Sequence, residues 1–451
     1  MEKENIILLI KEKKVRDFKN EVIKLEFVDV AEIIDELNDA EQVLAFRMLP
    51  KDIAADVFAY LPFDSQETII SNITDKEISL IIEDLYVDDA VDILDELPSS
   101  MVKKILANAK PETRNILNQF LKYEEGSAGS IMTSEYIDLK KDMNVSQAIE
   151  KIRKVGQDKE DIYTCYVVDE ARHLQGVVSA KQLLLSSADN SIGSIMDPNY
   201  IFCNTTQDKE EVANLLQKYD LLALPVVDNE NRLVGIITID DAVDVISEEV
   251  EEDFEKMAAM LPSEKPYLQT SVFTLYKNRI VWLIVLMISG MLTGLILEKF
   301  ELAISVIPLL VSFIPMLNGT GGNSGAQSAT MCIRGLTTGE ITTKEWLKVW
   351  WKEFKVSLLI SLTLAILNFL RILLLSDPSK MNGKTPLEVG LVVSIALIAT
   401  IILAKSLGAL LPILAKLLKL DPAVCASPLI TTIIDCASIL IYFTLATVFL
   451  L

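Results

Sequence analysis

Residues 302–333, LAISVIPLLVSFIPMLNGTGGNSGAQSATMCI, carry no charge. A run this long and uncharged suits a lipid bilayer, and its first half is apolar enough to span one. Its second half is not. Gly319, Gly321, Gly322 and Gly325 are interspersed with Asn318, Thr320, Asn323, Ser324, Gln327, Ser328 and Thr330. Backbone freed by clustered glycines cannot face lipid, because its N–H and C=O groups would go unpaired. The stretch is therefore expected to face protein or water, with Pro308 and Pro315 breaking or kinking the helix ahead of it. This points to a permeation path lined by Asn318, Gly321, Gly322, Asn323 and Gln327. A tight helix–helix contact through small residues would account for the glycines alone, but it does not call for Asn323 and Gln327.

Four further stretches are long and apolar enough to cross a membrane: 280–297, about 356–375, about 387–411 and 423–451. Five spans over 276–451 are thus expected. Arg334, Lys344, Lys348, Lys352 and Lys355 follow the second span, and Lys416 and Lys419 follow the fourth. The positive-inside rule places these loops and the N-terminus in the cytosol and the C-terminus outside.

The charge is divided unevenly. Residues 1–270 hold 55 Asp+Glu against 28 Lys+Arg, a net of −27; residues 271–451 hold 9 against 14, a net of +5. An acidic soluble part that precedes an apolar part excludes nucleic acid as a partner, which needs basic patches. It favours cations. Cys165, Cys203, Cys332, Cys425 and Cys436 have no metal-type spacing, and they read as reduced structural residues. The lone histidine, His173, excludes a multi-histidine metal site. The N-terminal MEKENIILLIKEKK has charge on both sides of its short apolar stretch and does not read as a signal peptide.

Residues 1–125 read as short helices with apolar residues at three and four spacing, punctuated by Leu49-Pro50, Leu61-Pro62 and Leu97-Pro98. That pattern predicts an all-α superhelical domain. Residues 126–247 contain a repeat of 64 residues, opened by Ile131-Met132 and by Ile195-Met196. Each copy offers β-α-β-β-α, with YVVD then QGVVS in the first and PVVD then VGIIT in the second. The pair, about 126–190 and 191–247, resembles tandem α/β cystathionine-β-synthase (CBS) domains. Such domains regulate, and the resemblance admits an adenine nucleotide as ligand. Residues 248–275 are expected to form an acidic connecting helix capped by Ser247.

Asp435 lies mid-span in SPLITTIIDCASILIYF. An acid at a helix centre costs about 2.5–3.5 kcal/mol on insertion scales, so it is expected to face the interior. It reads either as a cation ligand or as one end of a hydrogen bond to a nearby hydroxyl. Carboxylate, carbonyl and water suit Mg²⁺. No second acid shares its span, which argues against an aspartyl hydrolase. In the cytosolic half the candidate metal ligands are acids positioned to gather at domain interfaces: Asp88, Asp89 and Asp92; Asp208, Glu210 and Asp220; Asp241 and Asp244; and Glu249, Glu252 and Asp253. Like charges drawn together repel, and a divalent cation can bridge them.

With PMLNGTGGNSGAQSATMCIRGL, DPAVCASPLITTIIDCASILIYF, YDLLALPVVD and LVGIITIDDAVDVI in view, the chain resembles the MgtE family of magnesium channels over its whole length. The resemblance implies a multidomain membrane protein with a helical N domain, a CBS pair, a plug helix and a five-helix transmembrane domain. It implies a homodimer in the plasma membrane whose pore is lined by the second and fifth spans, with Ser427 and Thr431 among the lining residues. Asp435 matches the family's pore aspartate. Asp220, Asp241, Asp244, Glu249, Glu252 and Asp253 fall on positions similar to its regulatory acids, and Asp88 and Asp89 are the candidates from the N domain. Cytosolic Mg²⁺ would close the pore. A secondary transporter for another divalent cation or an organic anion, and a membrane sensor without transport, are the alternatives. An enzyme is not expected, since no nucleophile–base pair, phosphate loop or histidine cluster is visible.

Overall fold

The computed structural model describes residues 2–263, 267–268, 270–376, 381, 383–425 and 427–451, without the side chains of Glu2, Glu96, Cys425 and Ser427. The chain divides into two compact units, Met1–Ser247 and Glu248–Leu451.

The first unit opens with ten described helices: α1 (Glu2–Lys11), α2 (Val15–Val22), α3 (Phe27–Asp35), α4 (Asp39–Met48), α5 (Ala54–Ala59), α6 (Phe63–Asn72), α7 (Asp75–Asp84), α8 (Val87–Glu96), α9 (Ser99–Asn108) and α10 (Pro111–Phe120). From α3 onward each packs against the helix two places on, through α8 on α10. Helices of about ten residues are marginal alone and are stabilised by burying one face. Stacking at two-place spacing buries Ile69, Ile70, Ile78 and Ile82 in one continuous core and makes the superhelix. Pro62 and Pro98 sit at the N-caps of α6 and α9, as the Leu-Pro punctuation predicts.

The repeat folds as two three-stranded sheets. β1 (Ile137–Leu139), α11 (Val145–Val155), β2 (Thr164–Val168), β3 (Leu174–Ser179) and α12 (Ala180–Leu185) form the first copy. After α13 (Ile192–Ile195), the second copy has β4 (Cys203–Asn204), α14 (Lys209–Tyr219), β5 (Ala223–Val227), β6 (Leu233–Thr238) and α15 (Ile239–Met257). In both, the first strand runs parallel to the second and the second antiparallel to the third, and the register slips at the same place, Val167/Val168 and Val226/Val227. The copies interlock. Thr133 exchanges both backbone hydrogen bonds with Ile236 of β6, and Asp197 does the same with Val177 of β3. This crossing explains the glycine of VGIIT: a Cβ on Gly235 would lie 2.7 Å from the Thr133 carbonyl.

α15 corrects one expectation. It begins at Ile239, where the Thr238 hydroxyl donates to Asp241, and runs through Ser247 without a break. Ser247 therefore caps nothing, and the connecting helix ends at Met257 rather than continuing to 275.

The second unit holds α16 (Val272–Lys299), α17 (Glu301–Val306), a 3-10 turn (Pro308–Phe313), α18 (Ile314–Thr337), α19 (Trp346–Leu375), α20 (Pro386–Leu417) and α21 (Ser427–Leu450). Four helices among the described residues are long and apolar enough to cross a membrane: α16, α19 with its preceding turn, α20 and α21. α18 is long enough at 24 residues but too polar to count on composition. Contacts fix helix direction. Ser328 meets Glu353 and Met316 meets Arg371, so α18 and α19 are antiparallel. Gly321 meets Thr400 and Cys332 meets Ala409, so α18 and α20 are parallel. Asn318 meets Ser438 and Gly322 meets Thr431, so α18 and α21 are antiparallel.

The glycine stretch corrects a second expectation. Asn318–Thr330 is not freed backbone; it lies inside the continuous helix α18. The irregular backbone at this depth is Ile307–Phe313 instead. It is buried against protein through Ile307, Leu310 and Phe313, and the Leu310 carbonyl accepts from the Tyr442 hydroxyl at 2.9 Å. The glycines serve close packing. A Cβ on Gly408 would lie 2.2 Å from the Gly325 carbonyl, and one on Gly325 would lie 2.3 Å from Ile434.

Gly408→Ala is expected to destabilise the detergent-solubilised protein by about 1–3 kcal/mol, the usual cost of overpacking. A thermal-melting series with Gly319→Ala as the control would test this, because Gly319 has open space around it; equal midpoints for the two variants would contradict the packing role.

Candidate functional site

α18 has two unlike faces. Gly321, Gly322, Ser324, Gly325, Ser328 and Ala329 are buried against α20 and α21. Gly319, Asn323, Gln327 and Thr330 lie on the opposite, exposed side. Spacings of three and four place these polar residues in one stripe. The glycines and the polar side chains thus do separate jobs on one helix.

Asp435 is on α21, one turn beyond Thr431, whose Cγ2 packs against Gly322. Asp435 is half-buried, and its sealed Oδ1 takes no hydrogen bond from the described residues. Ser438 could have satisfied it. That hydroxyl turns instead to Asn318 Oδ1 at 2.6 Å and to the Asp435 carbonyl. No described hydroxyl therefore satisfies that oxygen, which the packing leaves enclosed and without a partner among the described residues. The Ser427 side chain falls outside the described residues.

Sequence reading missed a second charged feature in this unit. Lys405 sits in the middle of α20 and is 3 % exposed. Its Nζ lies 3.5 Å from Glu353 of α19 and 3.1 Å from Ser328 Oγ of α18. A lysine deep in the 387–411 run, whose other charge is Glu388 at its start, was its signal.

Elsewhere in the same unit, Lys256 of α15 bonds Asp421 Oδ2 at 2.7 Å and pairs with Glu252. Burial pulls the Lys256 ammonium down, but bonds to the two carboxylates outweigh it and hold the pKa above its ordinary value. Burial first, then Asp421, pushes Asp253 up. Met257 packs among Ala329, Ile333, Ala404, Ile430 and Ile434.

The first unit gathers acids between α8, the 156–161 loop and the start of α15. Burial, and then the charge of Asp241, hold Asp88 well above the carboxylate range, and its sealed Oδ1 has no hydrogen-bond partner among the described residues. Asp89 and Asp241 are each pushed up to about 6, chiefly by burial. Glu160 is pushed up to about 8 by burial and then by Asp240, Asp241 and Asp89. Glu160, Glu135 and Asp240 were not anticipated, because their partners are distant in the chain. Asp244 acts on Asp241 from the next turn of α15.

Other candidates lie elsewhere. Asp92 is exposed one turn beyond Asp88 on α8. Asp220 ends α14 in the left-handed conformation, φ 51°, and is exposed. Asp208 caps α14, accepting from the Glu210 and Glu211 amides. Glu249 is half-buried on α15. Among the described residues no three His, Cys, Asp or Glu side chains form a ready-made metal cage. The four cysteines whose side chains are described, Cys165, Cys203, Cys332 and Cys436, are free thiols.

Comparison with known proteins follows the same divisions. Residues 314–445 match the MgtE divalent cation transporter family, residues 25–126 the MgtE intracellular N domain, and residues 128–189 and 192–248 the CBS domain. The chain is 35 % identical over 425 residues to the magnesium transporter MgtE of Thermus thermophilus, covering 94 % of this chain and 92 % of that one. It is 32 % identical over 445 residues to the MgtE of Bacillus subtilis, covering 99 % and 96 %. Among solved structures, it resembles the soluble part of a magnesium transporter at 28 % identity, TM-score 0.53, covering 55 % of this chain and 98 % of that one. It also resembles the cytosolic domain of the Mg²⁺ channel MgtE in complex with ATP at 33 % identity, TM-score 0.50, covering 52 % and 96 %.

The raised acids give a pH dependence. Each binds its proton more tightly folded than unfolded. Their contribution to stability is therefore full below the unfolded carboxylate pKa and is lost as pH rises through 6 and then 8. In chelator, the thermal midpoint is expected to fall between pH 5 and 8, and Glu160→Gln is expected to remove the upper part of that fall. A flat profile would count against the cluster.

Proposed function

The chain belongs to the MgtE family of divalent cation transporters, and we propose that it conducts Mg²⁺ across a membrane through a path bordered by α18 and α21. The single observation that carries this reading is Asp435, a carboxylate at membrane depth with a sealed oxygen that the described residues leave without a hydrogen bond. It stands on the helix packed against the glycine face of α18. Mg²⁺ keeps several of its waters when bound. One carboxylate, with Thr431 one turn away and Ser427 at the mouth, and with Asn323 and Gln327 as neutral lining on the other face of α18, suits a hydrated ion better than a closed cage does. The protein is a transporter, not an enzyme.

The alternating directions of α18, α19, α20 and α21, with α16 running parallel to α21 through Thr293–Cys436 and Phe300–Phe443, support five spans with α18 as the second. That count puts the N-terminal unit in the cytosol and the C-terminus outside a plasma membrane. The exposed polar stripe of α18, and α16, which has no fully buried residue, support a homodimer whose second copy and surrounding lipid cover these surfaces.

Gating rests on two acidic groups. In the first unit Asp88, Asp89, Asp241 and Glu160 repel one another when ionised, and Mg²⁺ bridging would offset that repulsion. Asp244 and Glu249 follow on α15, and Glu252 and Asp253 approach Asp421 near its end. Cytosolic Mg²⁺ would favour the packed arrangement of these elements and shut the path. An adenine nucleotide is a second proposed ligand of the CBS pair; the ATP complex of the 33 % identical cytosolic domain supports it.

Two measurements test the reading. Mg²⁺ uptake into proteoliposomes is expected to fall at least about tenfold in Asp435→Ala, the loss of about 1.4 kcal/mol or more of ion stabilisation; undiminished flux would sink the pore role. Neutralising Asp88, Asp241 and Glu160 together is expected to keep flux open at millimolar internal Mg²⁺, where the parent closes. Unchanged closure would remove the bridging mechanism.

A further inference from the structure

The buried charge on α20 is absorbed by neither the ion path nor the acidic interfaces. Ser328 of α18 donates to Glu353 Oε2 of α19 at 2.5 Å and accepts from Lys405 Nζ of α20 at 3.1 Å. The lysine and glutamate are 3.5 Å apart, with side chains 4 % and 19 % exposed. One residue from each of three helices meets here, and the serine's single donor and an acceptor lone pair are both used. An apolar contact at this point would let α18 turn or slide. A hydroxyl held between a buried cation and a partly buried anion favours one setting, because turning the helix would break both of its hydrogen bonds.

The surroundings show what that setting controls. One turn before Ser328, Gly325 touches Gly408, which fixes the distance between α18 and α20 but not their rotation. One turn after it, Cys332 is 2 % exposed and its Sγ donates to the Ala409 carbonyl. Beside it, about 100° round the helix, Gln327 belongs to the exposed polar stripe. Ala329 and Ala404, the chain neighbours of Ser328 and Lys405, belong to the apolar cluster against which Met257 packs.

We infer that Ser328, Glu353 and Lys405 form a three-helix polar clamp that sets the rotation of α18 and so holds the Asn323–Gln327 stripe toward the permeation path. They are positioning residues and do not touch the ion. Because Met257 packs against the cluster that holds their chain neighbours, the end of α15 is linked to the clamp through that cluster. The rotational role rests on the packing alone; its effect on flux rests on the proposed Mg²⁺ conduction.

The test follows two cysteines in proteoliposomes of the full chain, with Cys165, Cys203, Cys425 and Cys436 replaced by alanine. One variant keeps Cys332; the other carries Gln327→Cys with Cys332→Ala. A charged, water-soluble thiol reagent should label position 327 quickly and Cys332 slowly. Adding Ser328→Ala, which spares the ion pair and removes the bridge, is expected to slow labelling at 327 and speed it at Cys332. Each change should be about threefold to tenfold, the range of interhelical hydrogen bonds in membranes, with Mg²⁺ uptake reduced. Ser328→Thr, which keeps the hydroxyl, should restore both rates. Lys405→Glu with Glu353→Lys should lie nearer the parent than either single change. Unchanged rates overturn the clamp, and so does a parallel rise at both positions, which reports loosened packing. Opposite shifts without any Mg²⁺ uptake by the parent would uphold the clamp and remove only the magnesium reading.

Discussion

In hydrocarbon every backbone N–H and C=O needs a partner inside the protein, and the membrane unit is arranged around that demand. α18 carries its glycines within an unbroken hydrogen-bonded helix. The break falls earlier, at Ile307–Phe313, which buries Ile307, Leu310 and Phe313 against the protein and where Tyr442 satisfies a carbonyl. Because α18 stays helical, its small residues lie along one face and its amides along another. The first face permits contacts that a single methyl group would forbid. The second is left polar and outward.

Charge is handled differently in the two units. In the membrane unit the buried cation Lys405 has both a carboxylate and a hydroxyl within reach, which keeps the cost of a buried charge tolerable. In the first unit Asp88, Asp89, Asp241 and Glu160 face one another, and burial adds to their mutual repulsion. A satisfied network holds one geometry. An acidic cluster depends on protons or cations and so responds to its surroundings. The first suits a scaffold for a path, and the second suits a sensor.

Much of this was legible in order along the chain. The Leu-Pro punctuation marks the superhelix, and the duplicated strands mark the CBS pair. Asp435 stands out because an acid is costly among apolar residues. Legibility failed where partners are distant. Glu160 meets Asp241 across 81 positions, and nothing local distinguishes it from a solvated surface acid. Asp220 and Asp92 read like ligands by residue type, and both side chains are exposed. Ser247 looks like a cap because acids follow it, yet the apolar periodicity of α15 begins eight residues earlier.

The sequence by itself determined the layout: an acidic soluble half, a duplicated α/β domain, apolar spans and one carboxylate within the last of them. Composition and periodicity suffice there, because hydrophobic burial and backbone satisfaction act on each segment separately. Only the tertiary structure decided that residues 318–330 are helix, that their glycines serve contact with α20 and α21, and that Ser328, Glu353 and Lys405 meet. Close approach and charge pairing depend on which helix faces lie together, and no local pattern specifies that.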